Sequence, residues 1–169
     1  MIKTFLQNVW RGLKIYMSKK MFPLYVDLQG KKIVIVGGGS IGCRRVKTLT
    51  GFSDKIIVVS SEVLPVIDLY IKEKKVIWYK KDFEFNDIKD ADIVIAATDN
   101  RKVNNQIYEY CRENKIIVNN ASDQNQCDFQ FPAILEHENI VMGFNSGGAD
   151  HKKVSRFRKM VENFLKSEE

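Results

Sequence analysis

The sequence predicts an α/β fold: a doubly wound parallel sheet with an added antiparallel hairpin and a C-terminal helix. Two observations lead to it. Lys32-Ile33-Val34-Ile35-Val36 is an apolar, β-branched run that reads as a short buried strand, and glycines follow it at Gly37, Gly39 and Gly42. Downstream, strand-like runs alternate with helical patterns, the rhythm of parallel strands joined by crossover helices. The glycines make the GxGxxG spacing, and each has a separate task. Gly37 makes the tight turn out of the strand. Gly39 lets a pyrophosphate approach the backbone, and Gly42 lets the following helix, continuing from Cys43 to Thr50, pack against the strand. The amides and positive dipole end of that helix then face the phosphates. Set between a strand and a helix, the motif reads as a Rossmann-type dinucleotide site rather than a glycine-rich turn of an unrelated protein.

The remaining elements follow in order. Residues 21–30, with Pro23 early and Gly30 at the end, form an extended lead-in. Residues 55–60 are the second strand, 65–73 a short helix with Pro65 tolerated in its first turn, and 76–79 a third strand. An acidic connection over 83–90 leads to a fourth strand at 93–98, apolar throughout and so covered on both faces. Asp99-Asn100 caps a helix over 103–114, and 116–119 is a fifth strand. Then the rhythm changes. Residues 129–134 alternate in period two, 136–139 turn, and 140–145 form another strand, a hairpin added to the parallel sheet. Ser146-Gly147-Gly148 is a second glycine loop, followed by a basic helix over 150–166.

At 169 residues the chain is long enough for one ordinary core, and 44% hydrophobic with 28% charged residues is the composition of a globular protein. No apolar run approaches the ~20 residues of a membrane span. The net charge of +6 suggests nucleic acid until its placement is read. Residues 1–20 hold Lys3, Arg11, Lys14, Lys19 and Lys20 and no acid, so the rest of the chain carries only +1, too little for a nucleic-acid surface. Residues 1–20 also repeat apolar side chains at three- and four-residue steps, from Ile2 to Tyr16. They read as an appended basic amphipathic helix, either a surface- or partner-binding element or a plain extension. The domain division is then 1–20, a dinucleotide-binding domain over 21–120, and 121–169 on the substrate side. Cys43, Cys111 and Cys127 are odd in number and lack metal-ligand spacing, which suits a reducing cytoplasm and predicts no metal site.

Several residues carry candidate chemistry. About 20 residues past the glycines, where an acid ordinarily meets the adenosine ribose, the chain reads Ser60-Ser61-Glu62. Glu62 is positioned to accept the ribose hydroxyls, or is simply an exposed helix-entry residue. No Arg or Lys follows to meet a 2′-phosphate, which favours NAD over NADP. Thr98 and Asp99 end the fourth strand, on the edge that lines the crevice in such sheets. For Asp99 the helix N-cap role suffices, which leaves Thr98 as the cofactor contact. Asp123, past the fifth strand on the same edge, is placed to accept a proton as hydride leaves a substrate carbon, with Asp128 an equal rival and a solvated loop aspartate the bland alternative. His137 falls in the hairpin turn, and His151 follows the second glycine loop.

Taken together, these stretches resemble a known family. Phe22-Pro23-Leu24, the strand with Gly37 to Gly42, Arg44-Arg45, Ala96-Ala97-Thr98-Asp99, Val118-Asn119-Asn120, Asp123, Phe129 to Pro132 and Ser146-Gly147-Gly148 occur in the order and spacing of precorrin-2 dehydrogenase. This is the NAD-dependent module of siroheme synthases, in some members also a sirohydrochlorin ferrochelatase. The resemblance runs from Met21 to the C-terminus and implies oxidation of the tetrapyrrole precorrin-2 to sirohydrochlorin, with NAD taking the hydride. It implies Asp123 as the catalytic aspartate, Ser40 and Ile41 in the pyrophosphate loop, and Ser61 and Glu62 on the adenosine side. Thr98 would be a further cofactor contact and Ser146 a residue of the tetrapyrrole site. Arg44, Arg45, Lys152, Lys153 and Arg156 are available to the substrate carboxylates. A homodimer is also implied. The chain departs from the family pattern where Thr-Ser-Pro often follows the Gly-Gly loop, having Ala149-Asp150-His151 instead, and it stops at Glu169, just after the first of the family's further helices. A module that binds NAD or tetrapyrrole but needs a partner chain for turnover is the alternative, and an NAD-sensing regulatory domain a third.

Overall fold

The computed structural model describes residues 21–167, so the helix expected over 1–20 lies outside the described residues. Five strands, β1 (Ile33–Val36), β2 (Ile56–Ser60), β3 (Val76–Lys80), β4 (Ile93–Ala96) and β5 (Ile117–Asn120), form one sheet in the order β3-β2-β1-β4-β5. Every neighbouring pair is parallel. The chain leaves β3 at one edge and returns at β4 beside β1, so strand order reverses between β1 and β4. Ligands bind such sheets beyond the carboxyl ends of the strands at that reversal.

The helices α1 (Ser40–Leu49), α2 (Pro65–Lys72) and α3 (Arg101–Glu113) are the crossovers. All four residues of β1 are buried, as a strand covered on both faces requires. Below one face, Val34, Val36, Val59, Val94 and Val118 meet Ile88, Ile107 and Cys111. On the other, Gly42 of α1 lies over Ile35. The buried positions of α3 are Asn104, Ile107 and Cys111, three and four residues apart as one helical face demands. Asn104 is the polar exception.

Asp99 does not cap α3. Asn100 does: its Oδ1 accepts from the amides of Lys102 and Val103 at 3.0 and 3.3 Å, and the helix therefore begins at Arg101. The 83–90 connection holds a single 3₁₀ turn, Phe85–Asp87, closed by a reciprocal Glu84/Asp87 capping box. At the far ends of α2 and α3, Lys74 (φ 57°) and Lys115 (φ 58°) take the left-handed conformation that glycine adopts without strain. Lys115 is exposed. Lys115→Gly is expected to stabilise the fold by up to about 1 kcal/mol, read as a raised thermal midpoint.

The expected antiparallel hairpin is present, with its first strand beginning later than the alternation predicts: β6 (Ala133–His137) and β7 (Ile140–Phe144) pair as a two-stranded sheet. The period-two stretch at 129–132 lies outside both strands because its extended chain is held elsewhere. Cys127 bridges Asn119, and the Asn119 side chain donates to the Phe129 carbonyl at 2.9 Å. Pro132 then has no N–H to offer a ladder. His137 is half-buried at the end of β6, opposite Ile140, and the turn itself is made by Glu138 (φ 52°) and Asn139. The last helix, α4 (His151–Ser167), packs on this hairpin, with the Phe144 and Phe157 rings edge to face at 6.1 Å. Tyr25–Gln130 is one compact unit, and a second begins at Phe131 and carries the hairpin and α4.

Candidate active site

The loop from β1 to α1 is shaped by what its glycines lack. A Cβ on Gly37 would fall on the Ala97 carbonyl oxygen, and its φ of +114° is one that other residues rarely adopt. On Gly42 it would fall on the Gly37 carbonyl, so the first turn of α1 sits directly over the end of β1. Gly39 differs from both. A Cβ there meets nothing within 4 Å, and the residue is exposed. Gly39 is the N-cap of α1 and supplies no side chain; the Cys43 amide donates to its carbonyl at 2.9 Å. The amides of Ser40, Ile41 and Gly42 precede that bond and have no intrahelical acceptor, the arrangement from which helix N-termini bind anions.

Gly38 stood only as a variable position in the sequence motif, yet it is as constrained as its neighbours. A Cβ would fall on the Glu62 carbonyl and lie 2.8 Å from Ser60 Oγ, and the Leu64 amide donates to the Gly38 carbonyl at 3.1 Å. The loop after β2 is thus laid against the glycine turn. That contact brings Ser61 and Glu62 to the same groove as Gly37, Gly39 and Thr98, an open cleft of about 640 Å³. Such a volume suits a dinucleotide-sized ligand. Ser40, Ile41 and Gly42 are not on its walls; they are the helix end beside Gly39.

The groove is also lined by Lys81, Phe83 and Phe85, which the sequence reading does not single out. Lys81 follows β3, whose Lys80 pairs with Ser60, and its ammonium is held by Asp87 at 2.9 Å and Glu84 at 3.1 Å. These partners raise the pKa of the lysine, its hydrogen bond to Asp87 most, so it stays charged and engaged. Phe85 stacks on Tyr110 at 5.0 Å and meets Phe83 edge to face at 5.3 Å, giving the groove an aromatic wall. The alternation Phe83-Glu84-Phe85 was the available sequence signal for it.

Asp123 lies outside the groove's walls, on the loop after β5. Its Oδ1 accepts from the Asn125 amide at 2.9 Å, and its Oδ2 is 3.9 Å from an exposed Arg101 guanidinium. The rival Asp128 has both oxygens in structural bonds, one to Arg112 at 3.0 Å and one to the Val118 amide at 2.9 Å. Ser146 belongs to the second unit, where its Oγ accepts from the Asp150 amide at 3.0 Å beside Gly147 and Gly148, both at positive φ. Arg44 is exposed, whereas Arg45 is half-buried and its pKa is lowered, chiefly by desolvation and then by Arg44. Lys152, Lys153 and Arg156 are exposed on α4. Burial pushes the Cys111 thiol up to about 12 and raises that of Cys127, so neither is a ready thiolate.

A family model described as "Putative NAD(P)-binding" matches residues 24–133. Precorrin-2 dehydrogenase of Bacillus subtilis (strain 168) is 33% identical over 145 residues, covering 86% of this chain and 89% of that protein. The chain belongs to the precorrin-2 dehydrogenase family. "SirC, precorrin-2 dehydrogenase" has the same fold, with a TM-score of 0.69 and 24% identity over 88% of this chain and 71% of that one. Family resemblance extends to longer proteins. The "Probable multifunctional siroheme biosynthesis protein HemA" of Ruminiclostridium josui is 38% identical over 77% of this chain, and siroheme synthase of Buchnera aphidicola is 27% identical over 85%. The chain spans only 25% and 30% of the lengths of those two relatives. Among the described residues no helix is long and apolar enough to cross a membrane, and no three His, Cys, Asp or Glu side chains gather as a metal site.

Proposed function

We propose that this chain oxidises precorrin-2 to sirohydrochlorin with NAD as the oxidant, in siroheme biosynthesis. The observation that carries the reading is the glycine turn: Gly39 opens onto free space beside an uncapped helix end, in a chain of this family. In the reaction the tetrapyrrole loses a hydride and a proton, and NAD supplies the acceptor for the hydride and leaves as NADH.

The amides of Ser40, Ile41 and Gly42 hold the pyrophosphate by charge-assisted bonds and the helix dipole. Glu62, with Ser61, takes the adenosine ribose hydroxyls, and Thr98 makes a further cofactor contact. Asp123 accepts the proton released as the hydride departs. Ser146 belongs to the tetrapyrrole site, and the exposed guanidinium and ammonium groups of Arg44, Lys152, Lys153 and Arg156 suit a polycarboxylate. On α4, Phe157, Met160 and Phe164 are exposed at helical spacing, which supports assembly as a homodimer. Nucleic acid is not among the partners, and the cytoplasm is the place of action.

NAD rather than NADP is the cofactor because Glu62 offers a carboxylate where a 2′-phosphate would sit, and the nearest groove cation, Lys81, is held by two acids. Weaker binding of NADPH than of NADH is expected, measured by the fluorescence of the reduced nucleotides. The reading as a whole is tested by adding NAD and anaerobically made precorrin-2 to the purified chain. Formation of NADH is expected. NAD binding without turnover would instead favour a module that requires a partner chain.

A further inference from the structure

The most completely buried polar side chain of the nucleotide unit is not on any loop of the candidate site. Asn104 is on the core face of α3, with Ile107 and Cys111, and is 0% exposed. Its Oδ1 accepts from the Thr98 amide at 3.1 Å and from Thr98 Oγ1 at 2.7 Å. Its Nδ2 donates to the Thr98 carbonyl at 3.0 Å and to Ser122 Oγ. Both donors and both acceptor positions of the amide are therefore in use. A buried amide with any of these unmade would be costly, so the arrangement fixes both partners at once.

Those partners lie on two different loops. Thr98 follows β4 and lines the groove, while Ser122 follows β5 and immediately precedes Asp123. The strands themselves are in register up to Ala96 and Asn120, and the last bond between them runs from the Ala121 amide to the Ala96 carbonyl at 2.9 Å. Past that point Asn104 ties the two loops together from beneath. Asn120 holds the same loop from its base, accepting from the Ser122 amide at 2.9 Å and, through its carbonyl, from the Asp123 amide at 3.3 Å.

We infer that Asn104 is a positioning residue, acting through Ser122 to set the Asp123 loop against the Thr98 loop; the inference rests on the proposed dehydrogenase reaction. Positioning of this kind affects rate more than binding, since a displacement of ~1 Å at a reacting group can lower a rate ~100-fold. Three single variants and one double variant test it. Ser122→Ala removes only the far end of the link and leaves the three bonds to Thr98. It is expected to lower kcat by about tenfold or more with NAD affinity unchanged. Ser122→Thr, which restores an Oγ, is expected to recover most of that loss. Asn104→Leu breaks both ends, and adding Ser122→Ala to it is expected to cause no further loss of kcat, because one link cannot be cut twice.

Amide hydrogen exchange of the free protein supplies a readout independent of turnover: the Asp123 and Gln126 amides are expected to exchange faster in Ser122→Ala and Asn104→Leu. A wild-type kcat in Ser122→Ala, or independent losses that multiply in the double variant, would overturn the positioning role. Unchanged exchange would overturn the link itself. A wild-type chain that binds NAD but forms no NADH, with exchange altered as expected, would sink the proposed reaction and leave the link standing.

Discussion

Asp123→Ala is expected to lower kcat for NADH formation by about two to four orders of magnitude, the usual contribution of a positioned general base. Its effect on folding should be small. The carboxylate makes one bond to the Asn125 amide and one long approach, 3.9 Å, to an Arg101 that is 71% exposed. An ion pair so exposed contributes ~0–1 kcal/mol. NAD binding should also be unaffected, because Asp123 is not on the wall of the nucleotide groove. Asp123→Asn sharpens the test. It keeps an oxygen for the Asn125 amide but takes no proton, so it should be as impaired as the alanine variant. Wild-type turnover in either variant would remove Asp123 from the mechanism. Asp128→Asn is the control: both of that residue's oxygens serve the fold, so its loss should appear in thermal stability first.

Gly39→Asp should strongly weaken NAD binding while leaving the fold intact or slightly more stable. Nothing lies within 4 Å of a Cβ at Gly39, and the residue is the N-cap of α1 with φ of −77°. Aspartate is a favoured N-cap, preferred over glycine by a few tenths of a kcal/mol. Its carboxylate would accept from the same first-turn amides that are proposed to hold the pyrophosphate, and would repel that anion. Like charges so placed cost several kcal/mol, so affinity should fall by about a hundredfold or more. The same change at Gly38 would do something else. Its side chain would collide with the Glu62 carbonyl and push the β2 loop off the turn. Gly38→Ala should therefore lose stability as well as affinity. The contrast between Gly39 and Gly38, read by calorimetry and thermal denaturation together, separates an anion site from a packing contact.

Much of this architecture is legible in the chain because it is local. The β1 run followed by Gly37, Gly39 and Gly42 encodes strand, turn and helix within a dozen residues, and parallel pairing follows from the helices that separate the strands. Glu62 and Thr98 are legible as groove residues because strand ends in such sheets have known neighbours, whereas Ser61 is singled out only by the family resemblance. Non-local contacts were the ones missed. Gly38 matters because the Glu62 carbonyl arrives from more than twenty positions away in the chain. Asn104 reads as one more polar residue in an amphipathic helix until Thr98 and Ser122 meet it. The helix cap moved from Asp99 to Asn100 because a one-residue difference in where the backbone turns cannot be read from two adjacent good capping residues. The later start of β6 reflects Asn119 and Cys127, which hold the strand-like stretch that precedes it, and period-two patterning does not encode that.

The proposed coupling of precorrin-2 oxidation to NAD reduction is tested most directly by its stoichiometry. Under strict exclusion of oxygen, absorbance records sirohydrochlorin and NADH together as precorrin-2 is consumed. Equal amounts of the two products, with neither formed when NAD is withheld, are what the account predicts. Sirohydrochlorin appearing at the same rate without NAD, or precorrin-2 persisting beside chain that has bound NAD, would contradict it.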